Sequence, residues 1–148
     1  MKNWPIILCL NSIPLIIGLA SQFLYYGILK GFLIFSFYEH KKDLGVSLLA
    51  YSIAMFGIVA TVSTIVYGLE KIAAKEYLKD FGSYYLSSWL LALIYLVLLC
   101  IISVLLIATI SEVQVTKWII RILMFLFITS LIQALFSLWT GMKILRRL

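Results

Sequence analysis

Residues 44–68 read LGVSLLAYSIAMFGIVATVSTIVYG, a charge-free run long enough to cross the roughly 30 Å hydrocarbon core of a bilayer as a helix. Within it Ala50, Ala54, Gly57, Thr61, Thr64 and Gly68 recur at alternating spacings of four and three. On a helix they share one stripe. Leu48, Leu49, Met55, Phe56, Ile58, Val59 and Ile65 cover the remainder. Small residues let a second backbone come close, and in lipid, where tails are as apolar as leucine, close packing and interhelical hydrogen bonds hold helices together. The stretch therefore predicts the hub of a helical bundle, with the six small residues as its packing seam.

Composition extends that reading to the whole chain. Of 148 residues 64% are hydrophobic and 12% charged, and the mean hydropathy is +1.12, far above the roughly half-apolar usage of soluble domains. The charges cluster in short breaks between long apolar runs. That pattern defines four spans at about 5–26, 44–68, 85–108 and 118–142, in a single polytopic domain with a connector at 69–83. The expected fold is an all-α integral membrane four-helix bundle. A net charge of +6 could suggest nucleic acid, but these cations flank spans instead of striping a soluble face, so no direct nucleic-acid binding is expected.

From the start of the chain, Lys2, an apolar run and Gly18-Leu19-Ala20 imitate a secretory signal. The segment is read as an uncleaved first span. Pro5 suits a helix's first turn and Pro14 should kink the helix, while Asn11, Ser12 and Gln22 should face protein. Beyond Tyr26 two readings stay open. A helix from Pro5 to Tyr38 would be about 50 Å long and project from the membrane; otherwise it ends near Tyr26, and Phe32 to Tyr38 forms an interfacial helix or an extended segment. An extended segment could pair with the partly alternating loop Thr109 to Lys117 as a small extracytoplasmic β element. His40, the sole histidine, falls in the polar crest Glu39 to Asp43 and is read as a solvated loop residue.

The connector, 69–83, sets Leu69, Ile72, Ala73, Leu78 and Phe81 against Glu70, Lys71, Lys75, Glu76, Lys79 and Asp80, which predicts an amphipathic interfacial helix continuing the second span. Gly82-Ser83 should stop it. The third span is the most lipid-like. In the fourth, Ser130, Gln133, Ser137 and Thr140 repeat at three and four as a polar stripe, and Gln133 should bond across an interface, within the bundle or between protomers. Arg121, one turn from Lys117, can snorkel to headgroups as an anchor.

Lysine and arginine set the orientation. Lys2, Lys71, Lys75, Lys79, Lys143, Arg146 and Arg147 fall on one side, against Lys30, Lys41, Lys42, Lys117 and Arg121 on the other. Both termini are therefore predicted cytoplasmic in a bacterial inner membrane.

Catalytic motifs are missing from the sequence: there is no Ser-His-Asp set, no H-E-x-x-H, no Walker loop and no G-x-G-x-x-G. The acidic residues all fall in loops or at span ends, which leaves no intramembrane carboxylate as a proton relay. Cys9 and Cys100 lie in different runs without a C-x-x-C. No enzyme and no cofactor or metal is expected. The functional expectation is a subunit in contact with membrane lipids that forms a homo-oligomer through the seam and docks a cytoplasmic protein through Lys71, Lys75, Lys79, Lys143, Arg146 and Arg147. The alternative is a small oligomeric channel or transporter lined by the stripes of the second and fourth spans.

Four spans in 148 residues, cytoplasmic termini and one cytoplasmic connector make a layout that resembles the membrane subunit of the Kiwa anti-phage defence system. In that family a four-span protein works with a soluble DNA-binding partner and responds to envelope disturbance by infection. The resemblance implies that Leu69 to Ser83 and Lys143 to Leu148 dock the soluble subunit. It also implies that Gly27 to Asp43 and Thr109 to Lys117 face the envelope.

Overall fold

The computed structural model describes residues 4–28, 39–68, 72–109 and 113–146. They contain four long helices, α1 (Trp4–Ile28), α2 (Lys41–Gly68), α3 (Ile72–Ala108) and α4 (Val113–Arg146). α2, the Gly82–Ala108 part of α3 and the Gln114–Arg146 part of α4 are long and apolar enough to cross a membrane. α1 is a 25-residue apolar helix packed beside them. The protein is an all-α integral membrane four-helix bundle.

Each helix forms for a local reason. α1 starts with Pro5 in its first turn, where a missing N–H leaves nothing unsatisfied, and it continues through Pro14, which is buried. Pro14 cannot donate to the carbonyl four residues back. α2 starts in the polar crest, with Asp43 in the first turn where the helix dipole favours a negative charge. Lys41 Nζ donates to the carbonyl of Thr109, just past the last turn of α3, at 2.9 Å. That bond ties the start of α2 to the end of α3 and neutralises part of a helix C-terminus.

Two expected features differ. The described part of the connector is not the tail of the second span, because α3 runs unbroken from Ile72 through Gly82 and Ser83 to Ala108. An interior glycine costs a helix only about 1 kcal/mol, and the long apolar run behind it outweighs that. The connector from residue 72 onward is thus the opening of the third helix. Likewise Val113 to Lys117, expected in a loop that could pair as a strand, are the first residues of α4. Alternation over so few residues does not separate strand from helix, and a long apolar helix follows directly. No strand occurs among the described residues. Phe32 to Tyr38 lies outside them.

The core runs the length of the bundle in three clusters. One joins Leu48, Tyr95, Leu99, Leu106, Ile120, Leu123 and Leu126, with the Tyr51 ring edge-on to Phe127 at 5.0 Å. The middle cluster joins Val59, Ala92, Leu96 and Ala134. The last joins Val66, Tyr85 and Ile144. α3 and α4 touch every other helix, whereas α1 and α2 do not meet among the described residues. The hub is the α3–α4 pair, so the expectation that the second span is the hub is corrected.

Close approach happens at other glycines than the seam's. A Cβ on Gly45 would stand 2.7 Å from Ile107 Cγ1 and 3.2 Å from the Ser103 carbonyl oxygen. A Cβ on Gly18 would collide with the Thr129 hydroxyl and approach the Phe125 ring to 2.9 Å. These two positions fix how near α2 comes to α3 and α1 to α4.

Candidate functional site

The small-residue seam faces away from the bundle. Ala50, Ala54, Gly57, Thr61, Thr64 and Gly68 are all exposed, and a Cβ added at Gly57 or Gly68 would meet nothing within 4 Å. The buried face of α2 is instead Gly45, Leu48, Ser52, Val59, Ser63 and Val66. Ala50, Gly57 and Thr64 precede Ser52, Val59 and Val66 by two residues, which is about 200° of rotation on a helix. The two stripes therefore lie on nearly opposite sides. As a packing face within the chain the seam reading is corrected; as a face toward another chain it is geometrically open.

Polar side chains concentrate inside the bundle. Gln133 Nε2 donates to both the carbonyl oxygen and the hydroxyl of Ser88 at 3.0 Å, joining α4 to α3. Asn11 Nδ2 donates to Ser87 Oγ at 2.9 Å, joining α1 to α3. Ser63 and Tyr85 share a buried hydroxyl–hydroxyl bond at 3.1 Å between α2 and α3. Neighbouring serines such as Ser52, Ser103 and Ser130 return their hydroxyls to backbone carbonyls of their own helices. These interhelical bonds converge on Tyr85, Ser87 and Ser88 of α3. The expected cross-interface bond of Gln133 exists and is made within the protomer. Ser12, expected to face protein, bonds its own helix at Leu8 and Cys9 instead.

Of the polar stripe on α4, Ser130, Gln133 and Ser137 are buried and Thr140 bonds the carbonyl of Phe136. A pore lined jointly by this stripe and the α2 seam would need both on one open surface. One is inside the protomer and the other outside.

The candidate docking cations divide between described and undescribed positions. Lys71 and Arg147 lie outside the described residues, and Lys75 is on α3 with its side chain outside them. Lys79, Lys143 and Arg146 are exposed. Val66, Tyr85 and Ile144 share one core cluster, so the end of α2, the opening of α3 and the end of α4 meet at the same end of the bundle. Lys79 of the connector and Lys143 and Arg146 of the tail, separated by more than sixty residues of chain, thus belong to one end. Lys143 Nζ sits 4.6 Å from the centroid of the Trp139 ring, a cation–π contact beside an exposed tryptophan.

At the opposite end His40 Nδ1 lies 3.6 Å from Asp43 Oδ2, both side chains largely in solvent, where such a pair contributes little. Cys9 and Cys100 are free thiols, and among the described residues no group of three His, Cys, Asp or Glu could hold a metal ion.

Sequence reasoning missed Gly18, Gly45 and Gly141 as the close-contact glycines. For Gly45 the signal was present, since it shares a seven-residue period with Ser52, Val59 and Val66. No family model, curated protein or solved structure matches the chain at a significant level.

Proposed function

We propose that this chain is a non-catalytic subunit of the bacterial inner membrane that forms a homo-oligomer and anchors or signals to a cytoplasmic protein, in the manner of a membrane component of an anti-phage defence system. The observation that carries the reading is the gathering of Lys79, Lys143 and Arg146, exposed, at one end of a bundle in which Asn11 and Gln133 bond to Ser87 and Ser88. An exposed cationic end suits an acidic protein surface, and such surfaces recognise each other through charge complementarity. The outward stripe of α2 supports self-association, because it offers lipid a row of small side chains where a second helix could pack closely. On this reading both termini are cytoplasmic.

The burial of Ser130, Gln133 and Ser137 weighs against the channel alternative in its simplest form. Affinity purification from the native host in mild detergent, followed by mass determination, tests the anchoring reading. A stoichiometric soluble partner is expected, lost when Lys79, Lys143 and Arg146 are all changed to glutamate. A pure homo-oligomer with no partner, together with ion or solute flux in liposomes, would replace this reading with the channel.

A further inference from the structure

At the cationic end of the bundle the outer face of α4 carries one continuous exposed stripe. Leu135, Trp139, Met142 and Arg146 recur at spacings of four, three and four, and all of them are exposed. Gln133, Ser137 and Ile144 are buried on the far side of the same helix. The stripe therefore looks away from the bundle interior, toward the hydrocarbon that a chain of this composition meets.

Two tryptophans fix its depth. Trp118 and Trp139 are 57% and 58% exposed and stand 21 residues apart on α4, a rise of about 32 Å. That matches a hydrocarbon core of about 30 Å with an interfacial tryptophan at each edge. Lys143 and Arg146 then lie about 6 and 10 Å beyond the Trp139 edge, in and at the outer rim of a headgroup layer about 5–8 Å deep. Lys143 Nζ sits over the Trp139 ring, 4.6 Å from its centroid, which holds the ammonium at that depth. Among the described residues neither Lys143 nor Arg146 pairs with a carboxylate, and Glu39 and Asp43 belong to the opposite end of the bundle.

We propose that this stripe binds an anionic phospholipid, with an acyl chain along Leu135, Trp139 and Met142 and the phosphate between Lys143 and Arg146. The ammonium meets phosphate as a compact charge, and the guanidinium meets it as a fork of donors. Charge complementarity selects the headgroup, since each basic residue near a membrane surface favours an anionic lipid by about fivefold. A zwitterionic lipid offers the same phosphate with a cation attached and gains less. The lipid shares Lys143 and Arg146 with the protein-docking end, so lipid and an acidic partner compete for these two cations. That competition rests on the docking reading; the lipid site does not.

The test uses the full-length protein without any partner, in vesicles of equal parts phosphatidylglycerol and phosphatidylcholine. One sample carries p-benzoylphenylalanine at position 135, and a second carries it at position 94, on the exposed face of α3. Photo-adducts are resolved by mass. At position 135 phosphatidylglycerol adducts are expected to exceed phosphatidylcholine adducts at least about fivefold, and to fall to parity when Lys143→Gln and Arg146→Gln are combined. At position 94 parity is expected in both proteins, and a lipid adduct there shows that the double variant is still inserted. Parity at position 135 in the parent, a preference that survives the double variant, an equal preference at position 94, or an adduct from position 135 to protein in place of lipid would each overturn the assignment. Failure here leaves the docking reading standing, because no partner is present.

Discussion

Two sets of glycines on this bundle look alike in sequence and stand in opposite environments. Gly18, Gly45 and Gly141 sit where another helix presses in, with Ile107, Phe125, Val62 and the Tyr85 hydroxyl within contact of an added Cβ, whereas Gly57 and Gly68 face open space. Gly45 and Gly57 each belong to a stripe of α2 with the spacing of a helix face. The difference teaches that a small residue marks where close packing is allowed, and that only the neighbour decides whether it is used within the chain. On α2 the outer stripe carries more small residues than the inner one, yet the inner one, with Gly45, Ser52 and Ser63 among Leu48, Val59 and Val66, holds the bundle.

The sharpest way to break the comparison is to enlarge one member of each set. Gly45→Leu forces a side chain against Ile107 and the backbone carbonyl of Ser103, and the carbonyl cannot step aside as a side-chain terminus can. Overpacking of this kind costs about 1–3 kcal/mol, and the gain in helix propensity over glycine offsets only about 0.8 kcal/mol of it. With the carbonyl fixed the cost falls at the upper end of that range, so unfolding in mixed micelles titrated with denaturing detergent should show a net loss of about 2 kcal/mol. Gly18→Leu should lose somewhat less, because the Phe125 ring it meets at 2.9 Å is a side chain able to move. A stability unchanged in Gly45→Leu would mean that α2 and α3 do not approach as described.

Next in size is the polar layer. Gln133→Leu removes two hydrogen bonds to Ser88, but it also removes an Oε1 that is buried without a hydrogen-bond partner among the described residues. The two effects oppose each other. Interhelical side-chain bonds in membranes contribute about 0.6 kcal/mol on average and up to about 1.7 kcal/mol, so a net loss of about 1 kcal/mol is expected in the same titration. Asn11→Ala, which breaks a single partly buried bond to Ser87, should lose about 0.5 kcal/mol. If Asn11→Ala cost more than Gln133→Leu, the joint between α1 and α3 would outrank the one between α4 and α3, reversing the order that burial indicates.

Much of this was legible in the sequence, and the limits are physical. The membrane class and four apolar segments follow from hydropathy, and Gln133 stood out because an amide in an apolar helix needs partners wherever it goes. Which way a stripe faces did not follow, because in lipid both the buried and the exposed sides of a helix are apolar and hydrophobicity no longer points inward. Leu48 and Val59 are buried while Ile58 and Ile65 are exposed, and nothing in their chemistry separates them. The helix running through Gly82-Ser83 was missed for a related reason. Glycine and serine are strong stop signals beside water, but where the chain must satisfy its own backbone hydrogen bonds, continuing the helix is the cheaper course.

The smallest expected cost to the fold carries the most information about assembly. Gly57→Leu places a large side chain where nothing stands within 4 Å, so the protomer should lose no stability and gain up to about 0.8 kcal/mol from helix propensity, against a loss of about 2 kcal/mol for Gly45→Leu by the balance of overpacking and propensity above. If the outer stripe joins protomers, the same variant should reduce the oligomer measured by light scattering in mild detergent, and single cysteines at position 57, with Cys9 and Cys100 changed to serine, should cross-link in the parent. An oligomer that survives Gly57→Leu at full size would move the interface to another outer face, such as that of α3 around Ile94, Val97 and Ile101. A protomer destabilised as much by Gly57→Leu as by Gly45→Leu would erase the distinction between the two sets, since both stripes of α2 would then be packing faces of a single bundle.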